Sequence, residues 1–510
     1  MSGIYIHIPF CKQACSYCDF YFVTRDRLVP EFVDALLHEI STVPVGDGSP
    51  FPGDPVRTLY LGGGTPSRLP LPQLKRIFDT LHRHFGLSGL EEVTVEVNPE
   101  DVTADLLAGL RDMGVTRLSM GVQSFQPELL EFMHRVHSAP EAHKALEKVV
   151  HAGFSSFSVD VIYGCPGQTE AQLQDDLDQL LVYDPPHLSA YSLTIEPHTR
   201  LGKQAKLGRL TPADDETVAR QSRLIRDVLA PNGIHKYEIS NYARHGHEAE
   251  HNSAYWSHEN YLGLGPAAHS FYWPGRGLER RPWTGMERGH GAEQRKDPRS
   301  EVERRHGAEQ RKERRVETKG EQDAIPQRGS HAGMKSERQR DLEGELQEEF
   351  KALRWYHPSD IHMYGRLVRS DGFRAWLDRV LGGARGYRSD RFPAAPQNHA
   401  ATPGSRFPEN AGYPQDPASS EILSLPPDGL ESEQLSLKTL AGERLMTGLR
   451  TRSGVESDEL ASRYGHPLTS AQLRLIAGFR ERGLMEPEEP LRLTDAGCNL
   501  ADAIIVRLLG

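Results

Sequence analysis

Cysteine is scarce in this chain: five residues in 510. So few, in a chain so long, exclude a disulfide framework. No run of about eighteen consecutive apolar residues occurs, and the opening "MSGIYIHIPF" lacks the basic-then-apolar pattern of a secretory segment. A cytoplasmic location is therefore expected, in a reducing compartment where thiolates can serve as metal ligands. Positive charge is also in deficit. The formal net charge of -11 argues against a general polyanion binder and leaves room only for local basic patches.

What is present suits a globular protein of more than one domain. Hydrophobic residues make up 37% and charged residues 26%, and 510 residues exceed what one hydrophobic core ordinarily serves. Up to about residue 195, short β-branched or aromatic runs alternate with longer amphipathic ones. Strands are predicted at 4–8, 57–61, 92–97, 117–122, 157–163 and 187–195. Between them stand helical patterns such as "PEFVDALLHEI", "LPQLKRIFDTLHRHF", "TADLLAGLRDMG", "APEAHKALEKVVHAG" and "TEAQLQDDLDQLLVY". Six successive βα units imply an α/β fold with a parallel sheet, and a curved sheet of that size forms an incomplete (β/α)6 barrel. Chemistry in such folds sits at the C-terminal ends of the strands. The distinctive stretches fall there: residues 11–18, "GGGTPS" at 62–67, "EVNPE" at 96–100, "GVQSF" at 121–125 and "DVIYGCPGQT" at 160–169.

Cys11, Cys15 and Cys18 form a Cys-x3-Cys-x2-Cys pattern that offers three soft ligands from one loop. Soft thiolates select iron–sulfur clusters, zinc or copper. A 4Fe-4S cluster on three cysteines leaves one iron open, whereas structural zinc takes four ligands, and His7 is the candidate to complete such a set. Three glycines after a strand permit close backbone approach to a ligand, though alone they more often mark a tight turn.

Taken together, "YIHIPFCKQACSYCDF", "YLGGGTPS", "VEVNPE", "RLSMGVQSF" and "DVIYGCPGQT" resemble the radical S-adenosylmethionine (radical SAM) superfamily. Within it they are similar to the group of oxygen-independent coproporphyrinogen III oxidases and HemW haem chaperones, over residues 3 to about 273 and again in the C-terminal region. The resemblance implies that Cys11, Cys15 and Cys18 hold a 4Fe-4S cluster whose open iron chelates the methionine end of SAM. It implies that Tyr5 lies beside the cluster and SAM, and that Gly63, Gly64 and Thr65 line the methionine end. Glu96, Gln123, Arg135 and Asp160 match the group's other SAM contacts. Taken singly, Asp160 is as readily a turn cap and Arg135 a solvated helix end. An electron donor such as a flavodoxin or ferredoxin, and a homodimer, belong to the same set of expectations.

Two departures separate the chain from the oxidases of this group. These carry a further cysteine two residues beyond the triplet, where Phe20 stands here, and a longer segment ahead of the first strand. By contrast, "EHNSAYWSHENYLGLGPAAHSF" at 250–271 contains a His-Asn-x-x-Tyr-Trp arrangement that resembles the haem chaperones. That resemblance implies haem as cargo, haem-accepting proteins as partners, and His251 as the residue holding haem, with Tyr255 and Trp256 covering the porphyrin. Imidazole is a good axial ligand for haem iron, but a histidine among aromatics is more often a hydrogen-bonded core residue. His269 is a second candidate. Cys165 reads as a small buried hydrophobe and Cys498 as a packing residue.

The remainder divides by composition. The core is expected to comprise 1–235, with 236–283 completing it and 349–383 continuing it. "HGAEQRK" occurs twice in a stretch at 284–348 dense in Arg, Glu, Lys and Gly, read as an insertion too polar to bury a core. A second insertion, rich in Pro, Ser and Gly, is placed at 384–432. From 433 to 510, three amphipathic helices, a short hairpin and a final helix resemble a winged-helix domain. Nucleic-acid binding is thus a further alternative, but Glu486, Glu488 and Glu489 occupy the wing where phosphate contacts would call for Lys or Arg.

Overall fold

The computed structural model describes residues 2–46, 49–51, 53–274, 350–382, 426–498 and 500–510. The expected insertion at 284–348 and most of that at 384–432 lie outside them. Alternation along the first six strands decides which side faces what. Ile4, Ile6 and Ile8 of β1 (Ser2–Ile8) point to one side with Leu59 and Leu61 of β2 (Val56–Gly63) and Val93, Val95 and Val97 of β3 (Glu92–Val97). Leu118, Met120 and Val122 of β4 (Arg117–Gln123), Val159 and Val161 of β5 (Ser156–Tyr163), and Leu188 and Ala190 of β6 (His187–Ser192) continue that face. The intervening residues, among them Tyr5, His7, Thr58, Tyr60, Glu96, Ser119, Asp160 and Ser189, line the other side.

The apolar side is covered by helices. Phe32, Leu36 and Ile40 of Val29–Thr42, and Leu74, Phe78 and Leu81 of Leu71–Phe85, are fully or almost fully buried against it, as are Leu146 of Ala139–Ala152 and Leu177 of Glu170–Leu181. Each such side chain contributes roughly 1.5–3 kcal/mol by leaving water. Local signals set the helix ends: Ser138 with Glu141 and Thr169 with Gln172 form capping boxes, and Gly86 closes Leu71–Phe85 in the left-handed conformation.

β1 to β6 pair in parallel, in sequence order, as the βα pattern predicts. The sheet then extends beyond the six predicted strands. β8 (Asn241–Ala243) pairs antiparallel with β6, which ends at Ser192 and not at the expected residue 195, and β7 (His235–Lys236) pairs antiparallel with β8. On the opposite edge, β9 (Asn260–Leu264) pairs in parallel with β1. β10 (His269–Tyr272), β11 (Phe350–Tyr356) and β12 (Glu431–Ser436) follow antiparallel, giving twelve strands in one sheet among the described residues. The boundary expected between 432 and 433 therefore runs through a strand.

The C-terminal helices Leu437–Gly448, Ser457–Ser462, Ser470–Glu481 and Ala501–Leu509 enclose a second core around Leu445, Tyr464, Phe479 and Ile505. Bridges between Met485 and Leu493 and between Val455 and Leu491 form the predicted wing. Among the described residues no helix is long and apolar enough to cross a membrane.

Candidate functional site

The polar side of the sheet and the loops at its C-terminal end build the site. The cysteine loop leaves β1 after Ile8 and is pinned at its start and end by backbone bonds, from Val23 N–H to Pro9 O (2.6 Å) and from Cys11 N–H to Val23 O (3.0 Å). Ser16 N–H donates to Met133 O, and Gln13 Nε2 donates to His134 O, so the loop also rests on the turn that follows the short helix Pro127–Phe132. All five cysteines are free thiols, and Cys11, Cys15 and Cys18 are partly exposed.

A chain of hydrogen bonds joins two of these sulfurs. Thr65 Oγ1 donates to Cys11 Sγ (3.6 Å) and accepts from Asn98 Nδ2 (3.0 Å). Arg135 Nη2 donates to Asn98 Oδ1 and to Gly121 O (both 2.7 Å), and its Nη1 donates to Cys15 Sγ (3.4 Å). Without a metal, burial pushes the Cys11 thiol up to about 12 and the Cys18 thiol up to about 11. Donors aimed at sulfur favour the thiolate, and hydrogen bonds to sulfur are what tune an iron–sulfur cluster.

His7 is not part of such a ligand set. Its Nε2 lies 2.9 Å from Tyr21 O and its Nδ1 3.2 Å from the Tyr5 hydroxyl, and burial lowers its pKa to about 4. His7 thus does not supply the fourth ligand that the zinc alternative needs, and a 4Fe-4S cluster needs only the three thiolates of the loop.

Beside the thiols lies a cradle that side chains would fill. A Cβ on Gly62 would stand 2.7 Å from Glu96 Oε1, and one on Gly64 2.9 Å from the Pro9 carbonyl carbon. Gly63, at φ 109°, packs its backbone on the His7 ring. Glu96 accepts from the Tyr60 hydroxyl (2.7 Å) and from Gly63 N–H (3.2 Å). Burial raises its pKa to about 7, opposed by the Tyr60 bond and aided by nearby Asp160. Asp160 accepts from Ser119 Oγ at both oxygens (3.1 Å) and from Ser158 Oγ (3.2 Å), and burial raises its pKa too.

Gln123 ends β4 at φ 70°, a left-handed conformation rare for a residue with a side chain, at a register shift against β5. Its Oε1 and Arg135 Nε are buried with no hydrogen-bond partner among the described residues. Orphaned polar atoms of this kind in a polar cradle are what a polar ligand satisfies. Tyr5 stacks on Tyr60 with ring centroids 6.0 Å apart.

The structure brings Cys11, Cys15, Thr65 and Arg135 into one network, and Gly63 and Glu96 into another. Asn98, which links Thr65 to Arg135 in the first, and Tyr60, which donates to Glu96 in the second, were not singled out from the sequence, although "VEVNPE" and "YLGGGTPS" contain them. Arg135 is half-buried against the cysteine loop, bonded to Cys15 and Asn98, and is not a solvated helix end.

His251 stands apart from the expectation placed on it. Its ring is buried inside the sheet's curve, 2% exposed, stacked on Tyr60 at 5.2 Å. Nδ1 lies 2.8 Å from Thr58 Oγ1 and Nε2 lies 2.8 Å from the Tyr255 hydroxyl, and burial lowers its pKa to about 3. Both nitrogens are taken, so in this conformation neither is open to an iron. Cys165 is buried as expected, and Cys498 packs on the second core.

Comparison with known proteins agrees with this geometry. Residues 5–180 match the Radical SAM superfamily. The chain is 39% identical over 274 residues to the heme chaperone HemW of Bacillus subtilis, covering 53% of this chain and 71% of that one. It is 36% identical over 269 residues to the heme chaperone HemW of Escherichia coli, covering 52% and 69%. The solved structure of coproporphyrinogen III oxidase HemN from Escherichia coli, described as a radical SAM enzyme, superposes with a TM-score of 0.60 at 17% identity, covering 99% of this chain and 89% of that one. At that identity the likeness establishes a common fold. With the extent of the HemW matches, and with the thiol loop and glycine cradle in place, the chain belongs to the HemW family of the radical SAM superfamily.

Proposed function

We propose that this protein is a haem chaperone, which binds haem and passes it to haem-accepting proteins from a scaffold that carries a 4Fe-4S cluster and SAM. The observation that carries this reading is the 39% identity extending over 71% of a relative named as a heme chaperone. Phe20, 71% exposed where the oxidases of the group have a further cysteine, weighs against porphyrinogen oxidation.

In this reading Cys11, Cys15 and Cys18 hold the cluster, and Tyr5, Gly63, Gly64, Thr65, Glu96, Gln123, Arg135 and Asp160 hold SAM. Reductive cleavage of SAM to methionine and a 5′-deoxyadenosyl radical is the chemistry that the pair supplies when bound. The chain's own residues do the positioning. Thr65 and Arg135 donate to two of the sulfurs and stabilise their thiolates. Glu96 offers a carboxylate to an ammonium, and binding of that cation draws its raised pKa down and releases a proton. Asp160, fixed by serine hydroxyls, is placed to accept from ribose hydroxyls, and the glycines let backbone approach the ligand closely. An electron donor of the flavodoxin or ferredoxin kind, a cytoplasmic setting and a homodimer complete the proposal.

The test is anaerobic reconstitution with iron and sulfide, followed by haem titration and an assay with coproporphyrinogen III and SAM. A Soret band with no protoporphyrinogen is the expected result. Turnover of the porphyrinogen without haem binding would replace this reading with the oxidase one.

A further inference from the structure

We propose that the residue coordinating haem iron is His269, at the start of β10, and that the porphyrin lies on the face shared by β10 and β11. This rests on the haem-chaperone reading and assigns the cargo a place that His251 does not offer.

A haem ligand needs a free imidazole nitrogen, room for a planar macrocycle and aromatic or apolar surface beside it. His269 is exposed, and its ring has no hydrogen-bond partner among the described residues. Burial, then the charges of Arg354 and His357, lower its pKa, which favours the neutral form that binds iron. It pairs in register with Tyr356 of β11, the two rings meeting edge to face at 4.4 Å.

One residue pair further along the same face, Phe271 lies opposite Arg354, whose guanidinium carbon is 5.9 Å from the phenyl centroid. There the face borders a cavity of about 240 Å³ lined by Tyr255, Tyr261, Phe271 and Arg354, with His258 and Glu443. The ligand, the flanking tyrosine and the aromatic recess therefore follow one another along a single face of two paired strands.

This face also adjoins the cluster loop. The turn from β9 to β10 packs on the end of β1, where a Cβ on Gly265 would stand 2.5 Å from His7 O. The thiol loop leaves β1 directly after Ile8, and its first thiol, Cys11, stands three residues on. Haem on His269 is thus held at an exposed position just beyond the C-terminal end of β9, where an acceptor can reach it, whereas His251 is buried between Tyr60 and Tyr255.

The experiment is haem titration of the full chain, reconstituted with its cluster, for wild type, His269→Ala and His251→Gln. Iron-sulfur absorbance of each variant reports that the fold is retained. The expected result is loss of the histidine-ligated Soret band in His269→Ala, its return on addition of imidazole, and an unchanged band in His251→Gln. An unchanged band in His269→Ala, or loss confined to His251→Gln, overturns the assignment while leaving the chaperone reading standing. Absence of a band in the wild type overturns that reading and the assignment with it.

Discussion

Glu96 shows how a single residue links the site to the stability of the whole. Its pKa rises from 4.5 to about 7, chiefly through burial. Between these values the folded chain keeps a proton that the unfolded chain releases, so stability falls as pH rises through this window. The loss in SAM-free protein amounts to about 3 kcal/mol. Glu96→Gln removes the titration: thermal melts from pH 4.5 to 7.5 should show a shallower decline than wild type, while calorimetry shows weakened SAM binding. A variant that keeps the wild-type slope would assign the pH dependence to other groups. At this scale the sequence was legible where chemistry is concentrated in motifs. Cys11, Glu96 and Arg135 stand in short patterns whose residue types are themselves reactive. Asn98 escaped notice because its role is to connect Thr65 to Arg135, and a connector has no chemistry until both partners are placed. His251 shows the converse: a motif supplies a ring but not the partners, Thr58 and Tyr255, that occupy its nitrogens.

At the scale of elements, the end of β4 is where local structure serves the site. Gly121 leaves space into which Gln123, Asn98 and Arg135 converge, and a Cβ there would lie 2.9 Å from Gln123 Nε2, 3.1 Å from Asn98 Oδ1 and 3.4 Å from Arg135 Nη2. Gly121→Ala should therefore fold, since its backbone is ordinary strand, yet displace Arg135 from Cys15. Reconstituted iron content and SAM affinity should both drop while far-ultraviolet dichroism stays unchanged; wild-type SAM affinity in the variant would refute the crowding argument. A second joint lies behind the sheet. Glu39 of the helix Val29–Thr42 is fully buried, accepts from Gly265 N–H (2.9 Å) and the Tyr364 hydroxyl, and stands 2.6 Å from His357 Nε2. Glu39→Ala strands these groups and should cost on the order of 3 kcal/mol in chemical denaturation. The six parallel strands were readable because each alternates apolar and polar residues over six to eight positions. β7 and β8, of two and three residues, carry too little pattern to register.

At the scale of the whole molecule, the sheet is assembled from segments far apart in sequence, and this was the hardest feature to foresee. β10 and β11 are antiparallel neighbours, with Tyr272 opposite Leu353, yet the chain between them runs through the polar stretch at 284–348. Compositional change marks such a stretch as an insertion but says nothing of the strand pairing across it, because register depends on partners that the local sequence does not contain. The pairing itself yields the prediction. Antiparallel neighbours can be joined by a short connection. Residues 273–283 and 349 alone would therefore suffice in length to close β10 onto β11. A chain lacking 284–348 should then load its cluster with wild-type iron content, bind haem with the wild-type spectrum and melt within a few degrees of the parent. If the deletion instead abolishes haem binding while iron content is kept, the inserted stretch takes part in holding or releasing the cargo. The polar stretch between β10 and β11 would then be a working part of the chaperone.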